Sequence, residues 1–321
     1  MDVANPAARF AIAVPQFIAD GSFDPASFGG YLARAETLGF DSAWTLEQVL
    51  GSAGSMPVLD PIAALTYAAA CTQRLRLGCA VFVTPLHNPV LLAKRLATLD
   101  QLSRGRLEVG VGTGAEGRMF AAFGVDPASL VARFSEGLAL TKALWTQPRV
   151  SFHGRFWQLD GASMEPKPLQ KPHPPIWFGG HHPAALARAV RHGDGFFGAG
   201  SSTTAQFAGH VQAVRAALAA VGRDAAGFGI AKRVYIVVDD DADRARRRLD
   251  AGLERIYGRS GLAPWGVWGP PAACAEGLGA VAEAGAELIQ LATFFDQAEQ
   301  LEQMQRLAAE VLPQLSEAFR P

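Results

Sequence analysis

Apolar residues along this chain follow two recurring patterns. Short runs rich in β-branched residues alternate with longer stretches whose apolar positions return every three or four residues. The first pattern is that of strands buried on both faces, the second that of amphipathic helices. The clearest instance is 75–114. Leu75 to Val83 is a largely apolar run, broken by Pro85 and by His87-Asn88-Pro89. A helix is predicted from Pro89 to Ser103, with Pro89 at the start, where a missing N–H costs nothing. Val90, Leu91, Ala93, Leu96, Ala97, Leu99 and Leu102 form its apolar face, and Gly105 stops it. Arg106 to Val111 is the next strand, with Gly112-Thr113-Gly114 as the loop at its carboxyl end. Two parallel strands joined by one helix form a unit whose ligand side is the carboxyl end of the strands.

The same alternation runs through the chain. Further strands are predicted at Arg9–Val14, Asp41–Glu47, Ile176–Phe178, Gly195–Ala199, Phe228–Val238 and Leu288–Phe294, eight in all. Asp24-Pro25 and Asp60-Pro61 each place a capping carboxylate before a helix-starting proline. Other helices are expected at 129–145, from Pro183, at 203–221, 243–257, 273–284 and 299–319. Val150 to Trp157 reads as a small hairpin insertion, Pro166 to Pro175 as a turning loop, and Gly258 to Pro271 as a loop carrying Trp265 and Trp268. Eight short strands alternating with helices predict one α/β domain over 1–321, a (β/α)8 TIM barrel with a small hairpin insertion.

Composition narrows the picture. Hydrophobic residues make up 49% of the 321, enough for a large core, and the net charge is −1. The densest basic stretch, 244–248, follows three aspartates and reads as a solvated helix face, so nucleic acid is not an expected partner. Three cysteines without metal spacing suit a reduced protein, and no signal-like or membrane-length apolar stretch is seen, so a cytoplasmic protein is expected.

In a TIM barrel the site lies at the carboxyl ends of the strands. That selects Trp44, Glu47 and Gln48, Thr84 to Asn88, Gly112 to Glu116, Gly179 to His182, and Gly198 to Ser202. Gly179-Gly180 precedes a helix, where bare N–H groups and the helix dipole would bind a phosphate; a plain tight turn is the alternative. Gly112-Thr113-Gly114-Ala115-Glu116-Gly117 fits the dinucleotide fingerprint, but the helix it needs does not follow at once. Trp44 reads as a ring-stacking residue or as core. Glu47 is the candidate acid–base group, expected to project into the barrel mouth, with His181 and Glu116 as the next candidates. His181-His182 lacks a spaced carboxylate and is read as a cofactor or substrate contact, with no metal expected. His87 is a site residue or a loop histidine bonded to backbone. No hydrolase motif is present.

The stretches GFDSAWTLEQ at 39–48, LGCAVFVTPLHNPVLLAKRLATLDQLSRGRLEVGVGTG at 77–114, ALWTQPRVSFHGRFWQLDGASMEPKPLQKPHPPIWFGG at 143–180 and HGDGFF at 192–197 resemble the luciferase-like monooxygenase superfamily. The resemblance covers most of the chain and implies the same barrel. It also implies FMN or the deazaflavin coenzyme F420 as cofactor, and hydride transfer or oxygen insertion on a small organic substrate. It places the flavin-type ring near Val81, Gly112, Thr113 and Gly114, and the phosphate near Gly179, Gly180 and His181. It places a non-prolyl cis peptide at Ala80-Val81. It further implies a homodimer, and a separate flavin or F420 reductase as a potential partner. Many relatives carry a histidine after the acid at the end of the second strand; here that position is Gln48. The sugar-phosphate dehydrogenase branch carries a glutamate directly after Gly-Thr-Gly, where this chain has Ala115. Those departures leave open the acid–base residue, and a non-catalytic ligand-binding protein on the same barrel is the rival expectation.

Overall fold

The strands form in chain order as β1 (Arg9–Ala13), β2 (Ser42–Thr45), β3 (Arg76–Val83), β4 (Leu107–Gly112), β5 (Val150–His153), β6 (Gln158–Ala162), β7 (Ile176–Gly179), β8 (Gly195–Gly198), β9 (Gly229–Val238), β10 (Gly266–Gly269) and β11 (Leu288–Ala292). The helices are α1 (Pro25–Thr37), α2 (Pro61–Cys71), α3 (Pro89–Leu102), α4 (Leu130–Thr146), α5 (Pro183–His192), α6 (Thr204–Ala220), α7 (Ala242–Tyr257), α8 (Pro271–Glu283) and α9 (Gln297–Arg306). The computed structural model describes residues 8–18, 23–51, 56–114, 120–293 and 297–315.

Eight of these strands pair in parallel in the order β11-β1-β2-β3-β4-β7-β8, with β9 joined to both β8 and β11, so the sheet closes into a barrel. This is the predicted TIM barrel, and β5–β6 is an antiparallel hairpin whose second strand, Gln158–Ala162, lies past the Trp157 at which the predicted hairpin ended. Both capping carboxylates act as read: Asp24 accepts the N–H groups of Ala26 and Ser27, and Asp60 that of Ala63; Asn88, not read as a cap, accepts those of Val90 and Leu91.

Two expectations are corrected. The stretch from Gly258 to Pro271 is not all loop, because Gly266–Gly269 pairs in parallel with Tyr235–Val238. The ten-residue β9 outlasts its other partners and leaves backbone groups that β10 satisfies. The terminal helix is shorter than expected: α9 ends at Arg306 and passes into a wider π turn over Leu307–Val311.

Alternation along the strands separates two apolar layers. Ile12, Ala43, Leu77, Val109, Phe178 and Ile289 face the helices, while Ala11, Trp44, Trp177, Phe197, Ala231 and Leu288 fill the barrel. Inside, Trp44 meets Phe197 at 4.7 Å and Trp177 at 6.1 Å between ring centroids. Glycines make room for these rings: a Cβ on Gly78 would come within 2.4 Å of Trp44, and one on Gly195 within 2.4 Å of Trp177. The polar groups of this layer are paired. Trp44 Nε1 donates to Ser42 Oγ at 2.9 Å, Trp177 Nε1 donates to Glu108 Oε2 at 2.6 Å, and Arg76 pairs with the other Glu108 oxygen. Burial pushes the Glu108 carboxyl up from its ordinary value, with the Arg76 charge and the Trp177 bond pulling the other way.

Candidate functional site

The centre of the site is the end of β3. The Ala80–Val81 peptide is cis, and the pairing of β3 with β4 shifts register between Cys79 and Phe82. Val81 is half-buried, and its side chain lies against the neighbouring strand ends. A Cβ built on Gly112 would stand 2.7 Å from one Val81 methyl, and one on Gly179 would stand 2.9 Å from the other. Three residues singled out separately in the sequence thus converge on one wall, and both glycines are needed to leave it free of side chains. Gly114 continues this edge, since its Cβ would stand 2.7 Å from a Val83 methyl.

Beyond that wall the loops after β7 and β8 run into two helix N-termini. Gly180 is exposed with φ of +119°, a conformation that suits glycine. His182 is spent as the N-cap of α5, its Nδ1 accepting the Ala184 N–H at 3.2 Å. His181 stacks on His210 of α6, ring centroids 5.8 Å apart. The two adjacent histidines therefore have different work, and no cluster able to hold a metal ion occurs among the described residues.

The loop after β8 is tied down from beneath. Lys232 Nζ, buried on the helix-facing side of β9, donates to Ala199 O at 2.6 Å, Ser202 O at 2.9 Å and Ser202 Oγ at 3.0 Å. Burial pulls its ammonium down to about 7, and the Arg233 charge adds to this. Burial and the nearby His181 and Lys232 charges lower the His210 imidazole from its ordinary value. Arg233, one residue on, points to the opposite face of the strand. Inside the barrel it donates to Gln290 Oε1 at 2.8 Å and to Ala80 O at 3.0 Å. Neither residue was singled out from sequence, although two adjacent charges in an otherwise apolar strand were a readable signal.

Glu47 does not project freely into the mouth, as its place at a strand end suggested. Strand β2 stops at Thr45, and the Glu47 carboxylate turns back into the barrel wall. Its Oε2 accepts the Val83 N–H at 2.6 Å, and its Oε1 meets His87 Nε2 at 2.8 Å. Gln16 anchors the preceding residue, accepting the Leu46 N–H at 2.6 Å and donating to the Leu46 carbonyl at 2.9 Å. Trp44 is 1% exposed and belongs to the interior aromatic layer, which is the core reading of that residue. Thr113 lies at the mouth with its hydroxyl toward Gly114 O at 3.4 Å. Glu116, with Ala115 and Gly117, lies outside the described residues.

On the far side of the mouth, Tyr235 Oη and Tyr257 Oη are 2.6 Å apart, and Trp265 meets Tyr257 edge-on at 5.1 Å. A Cβ on Gly200 would run into the Tyr235 ring at 2.6 Å, so this aromatic wall adjoins the β8 loop.

Residues 9–263 match the family model described as luciferase-like monooxygenase. An FMNH(2)-dependent dimethylsulfone monooxygenase of Pseudomonas putida is 36% identical over 183 residues, 56% of this chain and 49% of that protein. An F420-dependent glucose-6-phosphate dehydrogenase of Kineococcus radiotolerans is 34% identical over 184 residues, 54% of this chain and 52% of that protein. The matched segments thus span about half the length of these curated relatives. Among solved structures, a monooxygenase from Streptomyces bottropensis superposes with a TM-score of 0.82 at 25% identity, covering 95% of this chain and 99% of that one.

Proposed function

The chain belongs to the luciferase-like monooxygenase family, and on that premise we propose that it is an oxidoreductase using FMN or F420 on a small organic substrate. The observation that carries this reading is the side-chain-free wall made by Val81 between Gly112 and Gly179. A flat ring needs such a face, and the residues present fit one. Gly112, Thr113 and Gly114 would flank the ring. Gly179, Gly180 and His181, with the N-terminus of α5 behind them, would take the phosphate. Lys232 and His210 support that end by placing positive or protonatable nitrogen behind the two loops.

When bound, the cofactor supplies the two-electron chemistry, as hydride transfer with F420 or oxygen activation with FMN. The protein's part is to orient and to exclude water. Arg233 holds the Ala80 carbonyl from inside the barrel, which fixes the wall against which the ring would rest. The paired tyrosines and Trp265 would close the opposite side with an apolar face carrying two hydroxyls, suited to a mostly apolar substrate with a polar group. A homodimer and, for FMN, a separate reductase belong to the same reading.

Separate titrations with FMN and F420, followed by fluorescence quenching, test it. Saturable binding of one of them at one equivalent per chain is expected. Binding of neither would leave the wall without its occupant and refute the reading.

A further inference from the structure

We propose that His87 is the group that moves a proton at the substrate, and that Glu47 is the positioning carboxylate that holds it; this rests on the cofactor-dependent reading above. The Glu47 side chain is 1% exposed, and both of its oxygens are engaged, one by the Val83 N–H and one by His87 Nε2. With Glu47 as a carboxylate, which only accepts, the proposal puts the hydrogen of this bond on His87 Nε2. In the neutral ring that leaves Nδ1 as a lone pair. Among the described residues no hydrogen bond reaches Nδ1. A base oriented by a carboxylate on one nitrogen and open on the other is the arrangement general acid–base chemistry requires.

Position supports the same assignment. Glu47 holds the backbone of Val83, two residues beyond Val81, whose methyls line the proposed ring wall. His87 is carried there by a single 3-10 turn, Thr84–Leu86, closed by the His87 N–H on Thr84 O at 3.1 Å. Arg133 of α4 clamps that turn by donating to Pro85 O at 3.2 Å. The imidazole stays 17% exposed, reachable from the mouth but not loose in solvent. Near the pair, Arg133 of α4 holds the turn that carries His87, and the buried Cys79 thiol of β3 feels the charges of Glu47, Arg233 and Asp60. Of the chain's seven histidines, His87 alone meets a carboxylate among the described residues. His181 and His210 stack on each other, and His182 caps a helix.

The bookkeeping of the step is simple. In carbonyl reduction, a bound reduced cofactor would supply the hydride that the carbonyl carbon takes up. The His87 imidazolium would give its Nδ1 proton to the oxygen, returning to the neutral Nε2–H ring and leaving the alcohol. In the reverse direction the O–H bond would break and its proton would go to the Nδ1 lone pair of the neutral ring, with a bound oxidised cofactor as the hydride acceptor. The carboxylate of Glu47 stabilises the imidazolium in both directions.

Nitrogen-15 NMR of the histidine rings tests this on the cofactor-free protein. The neutral ring of His87 is expected to be the Nε2–H tautomer, and Glu47→Ala is expected to remove that preference by taking away the acceptor. Adding FMN or F420 to saturation should then move the His87 Nδ1 resonance while leaving His153 of the hairpin still. His87→Gln should keep cofactor affinity and melting temperature. An Nδ1–H tautomer, or a His87 signal unmoved in protein shown to have bound cofactor, would overturn the assignment alone. If neither cofactor binds, the cofactor-dependent reading fails and this assignment with it.

Discussion

The interior of the barrel and its carboxyl-end mouth are built from the same strands but to opposite rules. Inside, Trp44, Trp177 and Phe197 fill the space, and every indole N–H has a partner in Ser42 or Glu108. At the mouth, the strand ends carry glycines at 112, 114, 179 and 180, and among the described residues the imidazole of His87 is tied on one nitrogen only. The interior spends its polar groups on each other and gains stability. The mouth keeps a bare wall and an open nitrogen, and those are the features that can meet a ligand. Arg233 bridges the two regions, with Gln290 on the barrel side and the Ala80 carbonyl at the ring wall.

Substitutions should separate the regions in order of size. The largest effect is expected in the interior. Trp44→Ala removes a fully buried indole whose loss costs about 3–5 kcal/mol, and chemical denaturation should show that drop in unfolding free energy. A smaller loss would mean that the interior layer repacks, and the contrast with the mouth would weaken.

Arg233→Met is expected to act on both regions. It leaves the Gln290 and Ala80 oxygens without their donor, a cost of about 1–3 kcal/mol, and it should also weaken cofactor binding because the wall loses its support. Denaturation and cofactor titration of the same variant check this; a stability loss with unchanged affinity would confine Arg233 to the interior.

Lys232 gives a pH dependence whose sign follows from its burial. Its folded-state pKa lies near 7, below the ordinary lysine value of 10.5, so between those values the unfolded chain binds more protons. Stability should therefore rise with pH across that window, by up to ~1.4 kcal/mol per pH unit for one proton. Lys232→Met should flatten that slope in denaturation curves taken at pH 7 and pH 9. The variant should also bind cofactor more weakly, because the loop at Ala199–Ser202 loses its three anchoring bonds. A slope unchanged in the variant would show that other groups set it.

Much of the barrel was legible because its strands are short apolar runs whose neighbours in sequence are neighbours in the sheet. The caps at Asp24 and Asp60 were legible for the same local reason. Strand β10 was not, since Gly-Val-Trp-Gly becomes a strand only because β9 runs on past its other partners. The glycines at the strand ends were legible, and the cis peptide at Ala80–Val81 was implied by the family resemblance alone, but the polar contacts around them were not legible. Glu47 and His87 are 40 residues apart, and nothing local in either loop shows that the carboxylate folds back onto the imidazole. Trp44 was ambiguous for a related reason: its partners Trp177 and Phe197 lie more than 130 positions on. Lys232 and Arg233 could have been found by applying strand alternation to the charges as well as to the apolar residues.

The phosphate end is the most direct test of the mouth as a cofactor site, and Gly180 is the residue through which to make it. Because its φ is +119°, any side chain there strains the backbone, so Gly180→Ala must be measured beside Gly180→Asp. The decisive quantity is the affinity of each variant for the bound cofactor, FMN or F420, relative to its phosphate-free core, riboflavin or the bare deazaflavin. Gly180→Ala is expected to keep the preference for the phosphorylated form, while Gly180→Asp is expected to lose it by about tenfold or more, equivalent to ~1.4 kcal/mol of charge repulsion. Equal preference in the two variants would contradict a phosphate at Gly180.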